Sequence, residues 1–267
     1  MKIYNQNIWG NFSSPEQCIA NRNVLIKELI YEYNPDFCCF QECNPYTSRS
    51  GDTPIQDLLS KDFDEVSAKH SERNYTPIFY KRSEFNVKDC GYFPFKGLND
   101  LNSKSVTWGV FEEKTNKKTI AVISTHFWWQ SCNETDNMQR RENAHDVVRI
   151  ARTISKKYNC AVIIAGDLNS GNVSQGTAGY DEMVLGGMID IRKIAMKTDY
   201  SFTCSANAYP VLKEGKYVSG FRTDCTIDYM FVCGDKLISA NSFSVINNEK
   251  ARISSDHSPL FLEFDVK

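Results

Sequence analysis

Ala161-Val162-Ile163-Ile164-Ala165-Gly166-Asp167-Leu168-Asn169 is a short apolar run that ends on an acid and an amide. An unbroken succession of apolar residues of this length suits a buried strand. Upstream of it, residues 141–154 carry Ala144, Val147, Val148, Ala151 and Ile154 at helical spacing, which predicts a helix with one buried stripe.

The same arrangement, a strand with polar residues at its mouth, recurs along the chain. Phe37-Cys38-Cys39-Phe40 leads into Gln41 and Glu42, and the strand over residues 119–125 leads into His126. Further strands are predicted over residues 2–9, 161–165, 226–232 and 260–266, the last entered from Ser254-Ser255-Asp256-His257-Ser258-Pro259. Ser14-Pro15-Glu16-Gln17 reads as a helix start, with Ser14 as N-cap and Pro15 at the first helical position. Ile19, Ile26, Leu29, Ile30 and Tyr33 continue that helix until Asn34-Pro35-Asp36 stops it. Residues 171–187, rich in Gly, Ser and Asn, are expected to contain loop. Side chains at the mouths of neighbouring strands can converge on one cleft while the core fixes their positions. One acid or one histidine at a strand end is commonly structural; the joint, ordered occurrence carries the signal.

Composition frames this reading. The chain has 267 residues, 41% hydrophobic and 24% charged, enough for a large core and expected to form one domain over residues 1–267. A formal net charge of −2 gives no bulk attraction to nucleic acid or to an anionic membrane. No stretch has the length of a transmembrane helix and the N-terminus has no secretory pattern, so a cytoplasmic location is expected, with a monomer favoured. The ten cysteines form no C-x-x-C pair, which speaks against zinc and for reduced, structural thiols.

In order, Asn7-Ile8-Trp9-Gly10, Gln41-Glu42, Thr125-His126, Gly166-Asp167-Leu168-Asn169, Ile227-Asp228-Tyr229-Met230-Phe231 and Ser255-Asp256-His257-Ser258-Pro259 resemble the motifs of the endonuclease/exonuclease/phosphatase superfamily. That group includes pancreatic-type deoxyribonuclease, abasic-site endonucleases, bacterial sphingomyelinases, inositol polyphosphate 5-phosphatases and deadenylases. The resemblance implies an α/β (α+β) fold, a four-layer sandwich of two packed mixed β-sheets flanked by helices, with the site at one end. It implies a Mg²⁺-dependent phosphoesterase, Mn²⁺ remaining open. Glu42 is the leading metal carboxylate, with Asn7 and Asp256 beside it. Asp167 would orient or deprotonate the attacking water, and Asn169 would donate to the phosphoryl oxygens. His257 would contact the scissile phosphate while Asp228 fixes its tautomer. His126 would hydrogen-bond a phosphoryl oxygen or protonate the leaving group. The abasic-site enzymes lack a histidine at that place and carry an acid where this chain has Trp9, which lowers that branch.

Other residues carry two readings each. Trp128 and Trp129 can form a stacking platform for substrate, or at least one of them anchors the core. Lys104 is either a solvated lysine or a contact to the substrate phosphate. Tyr80 lies on a strand near the cleft in the family, and packing explains it equally well. Arg140 and Arg141 read as a helix start or an exposed face, and His70 and His145 as surface residues. The expected partner is a phosphate ester. Nucleic acid is the first reading, a small molecule or lipid headgroup the second and a non-catalytic binding module the third.

Overall fold

In the computed structural model, which describes residues 1–10, 22–43, 53–66, 74–171, 176–204 and 210–267, the run 162–165 is buried on both faces. In chain order the strands are β1 (Lys2–Asn7), β2 (Phe37–Gln41), β3 (Phe63–Glu65), β4 (Ile78–Lys81), β5 (Phe85–Pro94), β6 (Ser105–Glu113), β7 (Thr119–His126) and β8 (Val162–Asp167). They continue as β9 (Ile189–Asp190), β10 (Lys197–Thr198), β11 (Val211–Lys213), β12 (Lys216–Val218), β13 (Asp228–Cys233), β14 (Ile238–Val245) and β15 (Leu260–Val266). The helices are α1 (Arg22–Tyr33), α2 (Ile55–Leu59), α3 (Glu134–Tyr158), α4 (Ala178–Leu185) and α5 (Glu249–Ser254).

Among the described residues, one sheet of seven strands runs β10-β14-β15-β1-β2-β4-β3 and a second of six runs β5-β6-β7-β8-β13-β9, with β11-β12 a separate hairpin. Both large sheets are mixed, because β1 pairs β2 and β7 pairs β8 in parallel while most neighbours are antiparallel. Alternation along each strand builds the layers. Ile3, Phe37, Cys39 and Leu262 of the first sheet meet Phe111, Val122, Ile163 and Val232 of the second in the central core. The outward residues Ile123, Val162, Ile164 and Phe231 pack under α3 through Ala144, Val147 and Ala151. On the other side Tyr4, Cys38, Phe40 and Phe79 pack under α1 through Ile26, Leu29 and Ile30. Two sheets face to face with helices outside give the expected four layers.

Several boundaries differ from the sequence expectation. The helix start at Ser14 lies outside the described residues; from Arg22 onward the helix is present. Helix α3 begins a full two turns before residue 141, capped by Asn133, whose side chain accepts from the Asp136 amide. Those first turns bury polar side chains (Asp136, Gln139, Arg140, Asn143) instead of an apolar stripe. Within 171–187, expected to contain loop, α4 forms and buries Ala178, Gly179 and Met183. No helix among the described residues is long and apolar enough to cross a membrane.

Candidate active site

Strand register assembles the first part of the site. His126, at the end of β7, pairs with Asp167 at the end of β8, and Asp167 pairs with Asp228 at the start of β13. The parallel pair β1–β2 brings Asn7 beside Gln41, so Glu42 follows at the same end of the other sheet. The Asn7 amide bridges the two sheets, donating to Glu42 Oε1 at 3.2 Å and to Asp167 Oδ2 at 3.0 Å. Gln41 donates to Ser124 Oγ at 3.2 Å and ties the same two sheets just below.

The two histidines sit in opposite electrostatic surroundings. His257 Nδ1 lies 2.8 Å from Asp228 Oδ2. Burial alone would discharge this ring, but the Asp228 carboxylate, together with Cys204 and Asp256, outweighs it and holds the imidazole pKa well above its ordinary value. His126 is equally buried, and burial, the Lys104 ammonium and His257 all push its pKa well below the ordinary value. Lys104 Nζ stands 2.8 Å from His126 Nε2, Asn169 Nδ2 3.1 Å from it and Asp167 Oδ2 3.4 Å. A neutral ring accepting at Nε2 fits the two donors of that set, Lys104 and Asn169. Burial lowers the Lys104 pKa, while Glu42, Asp167 and Asp100 pull it back. Burial and then the Asp228 carboxylate raise Asp167, against hydrogen bonds from the Asn169 and Asn7 amides.

Glu42 has φ 54° and Asn169 φ 44°, a left-handed backbone that non-glycine residues rarely hold without a compensating role. Gly10 is what makes room for Glu42: a Cβ there would meet the Glu42 carbonyl oxygen at 1.8 Å. Asp256 is half-buried; burial raises its carboxyl, His257 opposes, and the Glu42 carboxylate adds to the rise, so both acids face one space. Hard oxygens of Glu42 and Asp256 facing one space suit a small divalent cation bound largely through oxygen, with the Asn7 amide beside them donating to Glu42 and accepting from the Trp9 amide. Asp167, Asp228 and His257 also bring ligand atoms within 4.8 Å of one another, a buried group that can hold a metal ion.

Asn7, Glu42, Lys104, His126, Asp167, Asn169, Asp228, Asp256 and His257 thus gather at one end of the sandwich. Lys104 corrects the surface reading, for it is 4% exposed. Tyr80 does not reach the site. It faces Phe37, at the far end of β2 from Gln41 and roughly 13 Å away at about 3.3 Å per residue, and packs on Phe111. Trp128 is buried, its indole donating to Asp136 Oδ1 at 2.6 Å, which makes it the anchor, whereas Trp129 is 48% exposed. Arg140 is fully buried rather than on a surface, and donates to the carbonyls of Gln130 and Ser131 in the loop after His126. Arg141 and His145 are exposed-face residues paired with Glu134 and Glu182; His70 lies outside the described residues.

Sequence reasoning missed four supports. The Arg22 guanidinium donates to the carbonyls of Ile8, Trp9 and Ser254, and Arg222 donates to that of Ser255, so both pin the backbone around Asn7 and Asp256. Thr203 Oγ1 accepts from the Ile227 and Asp228 amides, and Cys204 forms a bridge to His257. None carries a local signal, because each acts through partners far away in sequence.

The architecture is similar to solved structures of low sequence identity. A Bacteroides vulgatus endonuclease/exonuclease/phosphatase superposes with a TM-score of 0.76 at 18% identity, over 100% of this chain and 98% of that one. The Bacteroides thetaiotaomicron mannosyl-6-phosphatase gives 0.73 at 19% identity, over 99% of each chain. D. rerio TDP2 complexed with a single-strand DNA product gives 0.68 at 15% identity, over 100% of this chain and 99% of that one. No curated protein matches the sequence. The family model described as Endonuclease/Exonuclease/phosphatase family matches residues 5–257, a span that runs from β1 to His257 and takes in every residue gathered at the site, and the chain therefore belongs to that family of phosphoester hydrolases.

Proposed function

We propose that this protein is a metal-dependent phosphoesterase in which Asp167 directs water onto phosphorus and His257 holds the phosphoryl group. The carrying observation is the row His126–Asp167–Asp228, tied across the sheets to Asn7 and Glu42. Glu42, Asn7 and Asp256 would hold a divalent cation, Mg²⁺ or Mn²⁺. Once bound, that ion supplies positive charge to the ester oxygens. Asp167 accepts the water proton at Oδ2 or orients it, a role that needs a carboxylate close to the reacting phosphorus. The protonated His257 donates from Nε2 to a phosphoryl oxygen, while Asp228 keeps Nδ1 occupied and the ring upright. Asn169 and Lys104 supply further donors as negative charge builds. A neutral His126 suits hydrogen bonding between these groups, and proton donation to the leaving group does not suit it.

A phosphodiester, including one in nucleic acid, is the first substrate class of this reading. A small-molecule or lipid-headgroup ester is the second, favoured by the net charge of −2 and by Lys104 being the one buried lysine among the described residues. The test is a panel of DNA, RNA, nucleotide, sugar-phosphate and phospholipid-headgroup esters with Mg²⁺ or Mn²⁺. Turnover of DNA or RNA supports the first class, and turnover confined to nucleotide, sugar-phosphate or phospholipid-headgroup esters supports the second; no turnover of any ester removes both.

A further inference from the structure

Beside the imidazole–acid pair lies a pair of thiols that the hydrolytic roles leave unused. Cys204 sits in antiparallel bridges with Cys225 on one side and His257 on the other. Its amide donates to the Cys225 carbonyl at 3.0 Å, and facing residues of antiparallel bridges share one side, so the Cys204 thiol lies between the Cys225 and His257 side chains. Facing residues of an antiparallel pair have Cα atoms about 4.5–5.5 Å apart, within the roughly 4.4–6.8 Å that a disulfide spans. Side-chain rotation alone can therefore join the two sulfurs. Cys204 is half-buried and Cys225 buried, so a small reagent meets Cys204 first.

We propose that Cys204 and Cys225 form a reversible disulfide that withdraws the Cys204 thiol from His257 and lowers the hydrolytic activity of the site. The loss of activity rests on the reading given above; the bond itself does not. The oxidant is a small organic disulfide, RSSR. The Cys204 sulfur, as thiolate, attacks one sulfur of RSSR and expels RS⁻, which takes up the proton Cys204 lost. The Cys225 sulfur, likewise deprotonated, then attacks the Cys204 sulfur of the mixed disulfide and expels the second RS⁻. Two protein thiols are oxidised by two electrons, and one RSSR is reduced to two RSH. Exchange is slow, because Cys225 and burial raise the pKa of the attacking thiol, which is only partly accessible.

The test uses the full chain carrying Cys132→Ser, which removes an exposed thiol. The protein is incubated with glutathione disulfide and then alkylated, digested and mapped by mass spectrometry, with ester hydrolysis and the His257 ring NMR resonance followed in parallel. The expected result is a linked 204–225 peptide, a displaced His257 resonance and at least a tenfold loss of activity that dithiothreitol restores. Cys225→Ala abolishes the linkage, and Cys204→Ala keeps its oxidised and reduced activities within twofold of each other. Absence of the linked peptide overturns the proposal. So does a linkage that moves neither activity nor the His257 resonance, or an equal loss of activity in Cys204→Ala. If the reduced protein hydrolyses no ester, the functional reading fails by itself, and the linked peptide with the His257 resonance decides this inference.

Discussion

Asp228 helps keep one buried imidazole protonated while burial and Lys104 keep the other neutral, and the division of labour at the site follows from that contrast. Replacing Asp228 with Asn leaves a hydrogen-bonding side chain but removes the charge that keeps His257 protonated. The expected loss in kcat is about 10²–10⁴-fold, the usual contribution of a positioned acid–base group, read by steady-state kinetics on the best substrate of the panel. Lys104→Ala should lower kcat/KM by about 10²-fold, in the range for one lost oxyanion donor, with Lys104→Arg recovering part of it. Gly10→Ala tests the metal side. The added Cβ would sit 1.8 Å from the Glu42 carbonyl and must displace a residue already held at φ 54°. Activation by Mg²⁺ should then need at least about tenfold more metal, since supporting groups around a ligand typically matter by that much; an unchanged activation curve would remove Glu42 from the metal set. Asp167, Asn169 and His257 stood out in the sequence because each ends or precedes an apolar run. Lys104 was singled out only by its place in the family pattern, and its burial was not legible, because a buried lysine depends on Glu42 and Asp167, which lie far from it in the chain.

At the scale of elements, the first two turns of α3 form the platform beneath the loop after His126. Arg140 and Asn143 satisfy the backbone of that loop, Asn143 accepting from the Trp128 amide at 3.0 Å, and Gln139 accepts from the Leu98 amide at 2.8 Å in the loop leading to Lys104. Asp136 joins the two: burial opposes its charge, but hydrogen bonds from Trp128, Ser131 and Asn133, with Arg140 nearby, hold its carboxyl below the ordinary value. A carboxyl lowered in the folded state stabilises the fold above its unfolded pKa, and that contribution is lost as pH falls through the folded value. Asp136→Asn should therefore lower Tm by several degrees at pH 7, at about 2–4 °C per kcal/mol for a chain of this size. The gap to the wild type should close as the pH drops below the ordinary aspartate range. Thermal unfolding at stepped pH checks both points, and a gap that persists in acid would contradict the assignment. These turns escaped the sequence reading because their buried face is polar, so no apolar period marks them. Helix α4 escaped for a different reason: its flanking glycines resemble a loop, although Met183 packs into the core under α3.

For the whole molecule, the buried strands β2 and β8 were legible because they are continuous apolar runs, which a strand covered on both faces tolerates, whereas the four layers were implied only by the resemblance of the ordered motifs. The register that aligns His126, Asp167 and Asp228 in one row was not legible, since it depends on which strands become neighbours. Substrate choice belongs to this scale as well. With a net charge of −2 and a single buried lysine at the centre, few phosphate contacts are available away from the scissile group. KM for any polymer substrate should then rise less than about tenfold between 50 and 200 mM salt, against about 10³–10⁵-fold in affinity for proteins that neutralise many phosphates. The most direct measurement is hydrolysis of the ester panel by wild type, Asp167→Asn and His257→Ala, each with Mg²⁺, with Mn²⁺ and after chelation. Turnover that requires the cation and falls by at least about 10²-fold in both variants is the predicted result; turnover that survives both substitutions, or chelation, would contradict a single metal-assisted centre.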